Sequence, residues 1–421
     1  MARRYFGTDG VRGIAGELVT ADLVERLGRA AALWSGAERV LIGRDTRGSG
    51  VELEGAVAIG VASAGATAVL GGILPSGAVA LGAFDLGIVI TASHNPPEYN
   101  GVKFFQAGGR KLTDEDEEEI ESLLDAPPAE RHGKIEPALA AGAGYVDYVI
   151  EHFGSDLTGL ELVVDCSNGA YSDLGPEAFE RLGARVHAIG STPDGTNINT
   201  GCGATDTALL EREVVARGAA LGIAFDGDGD RIVAVDERGQ VVDGDGIIAI
   251  LALDLEVELV AVTQMTNLGF HALMSEHGIE VITTDVGDRY VLEALEEHGG
   301  ILGGEQSGHV IYLRDHVTGD GLAAGLLLCA ALKGRTLSEA ASALTRYFQC
   351  KENVRVTSKE ITQPVREAVE RANAELGDEG RILVRPSGTE PIVRVLVEAR
   401  NGDLAKTACG TIARLVESEL G

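Results

Sequence analysis

Cysteine is scarce and scattered in this chain of 421 residues. Cys166, Cys202, Cys329, Cys350 and Cys409 are odd in number and form no C-x-x-C pair. That spacing signals neither a disulfide framework nor a zinc site, and it fits a reducing cytoplasm. Positive charge is also scarce: 35 Lys and Arg stand against 65 Asp and Glu, a formal net charge of −30. A surface this acidic argues against nucleic-acid or anionic-membrane partners. No apolar run reaches the ~18–20 residues of a membrane span, and Met1 to Gly10 lacks the apolar core of a signal peptide. No Walker A motif and no G-x-S-x-G elbow occur. Glycine, by contrast, is abundant at 57 residues, and apolar residues make up 45%. The chain therefore reads as globular with many tight turns. An anionic substrate would require its few cations to be gathered at one site.

Strand-like and helix-like stretches alternate through most of the chain, which implies parallel βαβ units. Val40 to Ile42, Ala66 to Leu70 and Leu86 to Thr91 read as strands, with a helix over Glu52 to Gly65. Ala126 to Pro137, with three prolines, reads as a linker. A second unit begins near Tyr145, with strands at Glu161 to Asp165, Ala184 to Ile189 and Leu221 to Phe225. A third follows from the helix at Ile247, and the last seventy or so residues read as a small α+β domain. The expected architecture is three successive α/β domains with mixed or parallel sheets (1–144, 145–245, 246–350) plus a smaller C-terminal α+β domain (351–421), around a central cleft.

Each α/β unit ends a strand on a polar, glycine-rich loop, where open parallel sheets bind ligands. In the second unit, Asp226, Asp228 and Asp230 alternate with glycine. Three carboxylates so close need a cation, and an all-oxygen set favours Mg²⁺. The EF-hand reading fails, because Arg231 stands where that loop requires glycine. Three Asp with Mg²⁺ still leave room for oxygens, which a phosphorylated loop serine would supply; Ser93 is the candidate. Arg385-Pro386-Ser387-Gly388-Thr389-Glu390-Pro391 combines a cation, hydroxyls and backbone N–H groups, a set matched to a phosphate monoester. Glu305 and Ser307, between Gly304 and Gly308, suit sugar hydroxyls.

Thr91-Ala92-Ser93-His94-Asn95-Pro96, Asp226-Gly227-Asp228-Gly229-Asp230-Arg231, Gly304-Glu305-Gln306-Ser307-Gly308-His309 and Arg385 to Pro391 resemble, in order and spacing, the four signature loops of the α-D-phosphohexomutase superfamily. Phe6 to Gly13 and the Gln306 form of the sugar loop resemble its glucosamine-phosphate branch; the mannose- and glucose-phosphate branches are the alternative. The resemblance implies interconversion of glucosamine 6-phosphate and glucosamine 1-phosphate through a sugar 1,6-bisphosphate intermediate that also primes the enzyme. It implies phosphoserine at Ser93, with Ser93, Asp226, Asp228 and Asp230 on the metal. Lys103 is implied as general acid/base, with His94 and Arg12 beside the transferring phosphate. Arg231, Gly287, Asp288, Arg289, Glu305, Ser307, Arg385, Ser387, Gly388 and Thr389 are implied to bind substrate. To act as a base Lys103 needs a lowered pKa, which neighbouring cations would give it. The partners expected are small sugar phosphates, with the chain a monomer or homodimer. A non-catalytic sugar-phosphate sensor would carry no phosphate on Ser93.

Overall fold

The computed structural model describes residues 4–7, 9–82, 84–138, 140–387 and 391–421, without the Asp378 side chain. Two compact units emerge: Met1–Met265 with Ile279–Ser342, and Thr266–Gly278 with Ala343–Gly421.

The first unit is built on three sheets. In the six-stranded one the order is Val11–Ile14, Tyr99–Gln106, Leu86–Ile90, Arg39–Arg44, Thr67–Ile73, Ile135–Pro137. Leu86–Ile90 is central and buried along its whole length, as its apolar, β-branched run requires. The helices Ala21–Ser35 and Gly50–Ser63 pack together closely. Their approach depends on glycine: a Cβ on Gly60 would strike the Glu25 carbonyl oxygen, and one on Gly28 the backbone of Val57. Val24, Leu27, Val57, Val61, Ile42 and Ile88 fill the core, each contributing roughly 1.5–3 kcal/mol of burial. The stretch expected to be a linker supplies the edge strand Ile135–Pro137, with its proline at the edge where a missing N–H is tolerated.

The five-stranded sheet runs Val241–Val242, Ile232–Asp236, Leu221–Phe225, Glu161–Asp165, Arg185–Ile189. The four-stranded one runs Glu280–Thr284, Leu259–Thr263, Leu302–Gly304, Val310–Tyr312. The helix Gly321–Leu332, apolar on every face and buried, was not foreseen because it shows no amphipathic period. Its N-cap Asp320 accepts from the Leu322 and Ala323 amides at 2.9 and 3.1 Å. In the second unit Phe348–Arg355 and Gly380–Pro386 flank Ile392–Ala399 in an antiparallel sheet, with the helices Gln363–Leu376 and Gly402–Leu420.

All four signature loops share one local geometry. Each is the connection of a β-hairpin. Leu86–Ile90 returns antiparallel as Tyr99–Gln106, Leu221–Phe225 as Ile232–Asp236, Leu302–Gly304 as Val310–Tyr312, and Gly380–Pro386 as Ile392–Ala399. In the first unit the outgoing strand of each hairpin also pairs in parallel with a neighbour, so its loop does lie at the carboxyl end of a parallel strand. The chain leaves that loop as a strand, where a βαβ reading expects a helix.

Candidate active site

Ser93 is fully buried, with φ at 52°, in the left-handed region that a serine adopts only when its surroundings impose it. Those surroundings are visible. The Ser93 amide donates to Thr91 Oγ1 (2.8 Å), and the Thr91 hydroxyl donates to Asp45 Oδ2 (2.7 Å). Arg47, also buried, donates from Nε to Asp45 Oδ2 at 2.9 Å. Its two terminal nitrogens reach the carbonyls of Ser93 (2.9 Å), Asn95 (2.8 Å) and Tyr99 (2.9 Å), and also that of Pro96. Asn199 donates to the Ser93 carbonyl from the far side at 2.8 Å. One planar guanidinium thus fixes the loop's backbone path.

The result aims the Ser93 hydroxyl at the acidic loop: its Oγ donates to Asp226 Oδ2 at 2.6 Å, across 133 positions of sequence. Asp226, Asp228 and Asp230 are all buried, and one carboxylate oxygen of each lies within 4.8 Å of the others. Asp228 Oδ1 and Asp230 Oδ1 are buried with no hydrogen-bond partner among the described residues. Burial and the two neighbouring carboxylates push the Asp226 carboxyl well above its usual range. Clustered oxygens, two of them orphaned, fit a hard divalent cation. The loop is braced from behind. Ser76 donates to Asp228 Oδ2 at 2.6 Å, and the Gly321 amide donates to the Gly229 carbonyl at 2.9 Å. The ring of Tyr171 lies so close to Gly229, at φ 74°, that a Cβ there would overlap it. The Tyr171 hydroxyl in turn donates to Asp320 at 2.8 Å.

Lys103 lies on the return strand of the Ser93 hairpin and points into the same acidic cluster. Its Nζ is 2.8 Å from Asp228 Oδ2, 2.8 Å from Asp230 Oδ2 and 3.0 Å from Asp9 Oδ2. The expected lowering of its pKa is contradicted. Burial alone would lower it, but Asp228, Asp230 and Asp9 raise it well above the usual lysine value. The physical reason is the sign of the neighbours: three carboxylates surround the ammonium where cations were expected. In this arrangement Lys103 is held as the ammonium.

From Lys103 the charges continue in a closed circuit. Asp9 meets Lys111 at 3.2 Å, Lys111 pairs with Asp288, and Asp288 lies 3.2 Å from His309 Nε2. His309 Nδ1 then faces Asp230 at 3.8 Å. Despite burial, Asp288 and Asp230 raise the His309 pKa, and three carboxylates alternate with two ammonium groups and this imidazole. Arg12 joins from the neighbouring strand by pairing with Asp9. Arg12, Lys103, Lys111 and Arg231 thus bring cationic charge to one site, where an anionic substrate would need it.

The other expected residues of this unit fall around the circuit. His94 Nδ1 is 3.3 Å from Ser93 Oγ, and burial with Arg231 and Arg12 nearby lowers its pKa to about 4, which leaves it neutral. The Arg231 amide donates to Asp226 at 3.1 Å and its Nε lies 3.8 Å from Asp230. Glu305 and Ser307 stand 3.5 Å apart, the glutamate half-buried and the serine exposed. Gly287 caps the helix Asp288–His298, and Asp288 belongs to the circuit. Arg289 is turned elsewhere, to Asp114 at 2.5 Å and the Leu112 carbonyl at 3.3 Å. On the acidic helix Asp114–Ser122, Glu121 accepts the amides of Arg4, Tyr5 and Phe6 at 2.7–3.0 Å.

In the second unit, Arg385 stands directly opposite Arg394 across the strand pair. Burial and that second cation lower its pKa. Ser387 is buried; its amide donates to the Ile392 carbonyl at 2.9 Å and Lys359 donates to its own carbonyl at 2.8 Å. Gly388 and Thr389 lie outside the described residues. Sequence reasoning missed Asp45, Arg47, Ser76, Asp9, Lys111, Tyr171 and Asp320. Asp9 sits inside Phe6 to Gly13, already singled out, whereas a guanidinium bonded to carbonyls, as at Arg47, leaves no pattern in the residues it holds.

Models of one family match the chain in four segments: "Phosphoglucomutase/phosphomannomutase, alpha/beta/alpha domain I" over 3–130, domain II over 143–239, domain III over 243–348 and the C-terminal domain over 352–415. The chain is 48% identical to a protein of Moorella thermoacetica named phosphoglucosamine mutase, over 94% of this chain and 95% of that one. It is 46% identical to the protein of the same name from Nocardia farcinica, over 99% of each. Among solved structures it is similar to a phosphoglucomutase/phosphomannomutase family protein from Burkholderia thailandensis, with TM-score 0.84, 24% identity and coverage of 98% and 96%. It is also similar in fold to an Aspergillus fumigatus N-acetylphosphoglucosamine mutase solved with GlcNAc-6P and magnesium, with TM-score 0.71, 19% identity and coverage of 99% and 96%.

Proposed function

The chain belongs to the phosphoglucomutase/phosphomannomutase family, and on that premise we propose that it is a phosphoglucosamine mutase, interconverting glucosamine 6-phosphate and glucosamine 1-phosphate. The observation that carries the proposal is the Ser93 hydroxyl held 2.6 Å from Asp226, inside a buried carboxylate cluster with two oxygens unpartnered. Nearly full-length similarity to phosphoglucosamine mutases at 46–48% identity favours the amino sugar over mannose or glucose.

Ser93 Oγ is the proposed carrier of the phosphoryl group. It gives the group to the free 1- or 6-oxygen of the sugar, forming the bisphosphorylated sugar, and takes back the other phosphate after that intermediate turns around. Transfer of this kind needs positioning and charge neutralisation more than covalent help. Arg47 and Thr91 supply the positioning by fixing the Ser93 backbone. Arg12, Arg231 and Lys103 supply cationic charge. Lys103, held as the ammonium by its three carboxylates, donates a proton to the sugar oxygen as phosphate leaves for Ser93, while the Ser93 hydroxyl proton passes to Asp226, to which it already donates at 2.6 Å; in the other direction both protons retrace these paths, the sugar hydroxyl returning its proton to Lys103. Mg²⁺ on Asp226, Asp228 and Asp230 would offset the charge of the transferring group. Glu305 and Ser307 are assigned to sugar hydroxyls, and Arg385 and Ser387 to the phosphate at rest.

The test is turnover of glucosamine 6-phosphate with and without Mg²⁺ and a sugar 1,6-bisphosphate primer, alongside the intact mass of the purified chain. Activity dependent on both, with a phosphate adduct absent from Ser93→Ala, is the expected result. A stronger preference for mannose 1-phosphate would move the chain to another branch. Retained ligand binding with no turnover, and no adduct on Ser93, would make it a sensor.

A further inference from the structure

Cys350 and Cys409 lie 59 positions apart, and the second unit folds them together. Cys350 and Glu352 are two residues apart on the strand Phe348–Arg355, so they share one face. The helix Gly402–Leu420 supplies Cys409, which is fully buried, and Cys350 packs against the same core. The Cys409 thiol donates to the Cys350 carbonyl at 3.4 Å. The two sulfurs and one Glu352 carboxylate oxygen all lie within 4.8 Å of one another. Glu352 is exposed, so one side of the trio opens to solvent.

We propose that Cys350, Glu352 and Cys409 form a second metal site, for a thiophilic divalent cation of the zinc class, with solvent water as the fourth ligand. The donor set decides the class: two sulfurs and one oxygen reject Mg²⁺ and Ca²⁺ and suit zinc or cadmium. With metal–sulfur bonds of about 2.3 Å and metal–oxygen bonds of about 2.0–2.2 Å, tetrahedral ligands sit somewhat under 4 Å apart. Side-chain rotation supplies the remaining contraction. Binding forms two metal–sulfur bonds and one metal–oxygen bond, and each thiol releases its proton to solvent; no electron moves. The site would pin the strand to the helix across the sheet face. A redox pair of the same cysteines is the weaker reading, because a disulfide would have no use for Glu352.

The test is independent of the mutase assignment, since all three residues belong to the unit that lacks Ser93. The full-length chain is saturated with Mg²⁺, to occupy the aspartate cluster, and titrated with Cd²⁺ alone. The expected result is a thiolate-to-cadmium charge-transfer band that saturates at one equivalent. Cys350→Ser and Cys409→Ser abolish it. Glu352→Gln, an exposed change that leaves folding and turnover intact, weakens the apparent affinity at least tenfold, since even outer-shell partners of a metal cost about 10–100-fold. No band, a band of unchanged affinity in Cys350→Ser, or wild-type affinity in Glu352→Gln would each overturn the proposal.

Discussion

The Ser93 loop and the Arg385 loop are both hairpin connections, yet they handle charge in opposite ways. Around Ser93 charges of opposite sign alternate. Lys103 sits among Asp9, Asp228 and Asp230, and the circuit closes through Lys111, Asp288 and His309. Around Arg385 the nearest charge across the strand pair is another arginine, Arg394. Like charges directly opposite on a strand pair repel. The first site is largely self-neutralised; the second sets two cations directly opposite each other across a strand pair. Chemistry demands the first arrangement, because a transferring group must meet fixed dipoles and charges.

The comparison is broken most severely at Lys103. Lys103→Ala removes the central cation of the self-neutralised site. Turnover is expected to fall about 10²–10⁴-fold, the usual worth of a positioned proton donor, with KM nearly unchanged. The same variant should bind Mg²⁺ more tightly than wild type, because the ammonium and the cation compete for Asp228 and Asp230. Steady-state kinetics and calorimetric Mg²⁺ titration check both halves. A rise in KM with kcat intact would make Lys103 a substrate ligand. Next in size is Arg47→Met, which strands Asp45 and four loop carbonyls without their shared donor. Leaving a buried charge unmatched costs about 3–5 kcal/mol, readable as a lower denaturant midpoint at constant m. A loss below about 1 kcal/mol would show that the Ser93 conformation is held some other way.

Legibility in the sequence followed the same divide. The loops carrying chemistry were readable, because alternating Asp and Gly or a cation beside hydroxyls has a chemical meaning at fixed spacing. Strands of the second α/β unit were readable as well, Glu161–Asp165 and Leu221–Phe225 to the residue. The return strand Tyr99–Gln106 was not, since a polar connection of this length lacks the short turn signature that marks a hairpin. The helix Gly321–Leu332 escaped because burial on all sides erases the 3.6-residue period. Lys103 was found and its environment misread: Asp9 and Asp230 are 94 and 127 positions away. Which sign of charge surrounds a buried group is a property of the tertiary fold. Arg47 and Ser76 act on backbone carbonyls and on a single carboxylate oxygen, and such roles leave no local pattern.

Two smaller effects sharpen the contrast from the second unit. Arg385→Ala removes one of two repelling cations. KM for the sugar phosphate should rise about 10–100-fold, matching the ~1.5–3 kcal/mol of a charge-assisted hydrogen bond, with kcat within a few-fold of wild type. Raising ionic strength should weaken the wild-type KM in the same direction, because the half-exposed pair is screened where the buried circuit is not.

The smallest effect concerns His271, on the helix Leu268–Glu276 of the same unit. Burial, and then Arg381, lower its pKa to about 4 from an ordinary value of 6.5. Above pH 6.5 the imidazole is neutral in both folded and unfolded chains and contributes nothing to pH dependence. Between 6.5 and about 4 the unfolded chain takes up a proton that the folded one refuses. Stability therefore falls as pH falls through that window, and levels off below it. Allowing for the solvent that reaches the half-buried ring, the loss is about 1–2 kcal/mol. His271→Leu should flatten this slope while leaving stability at pH 8 nearly unchanged, as followed by denaturant melts across the window. A variant that kept the full acid slope between pH 6.5 and 4 would show that His271 does not carry it.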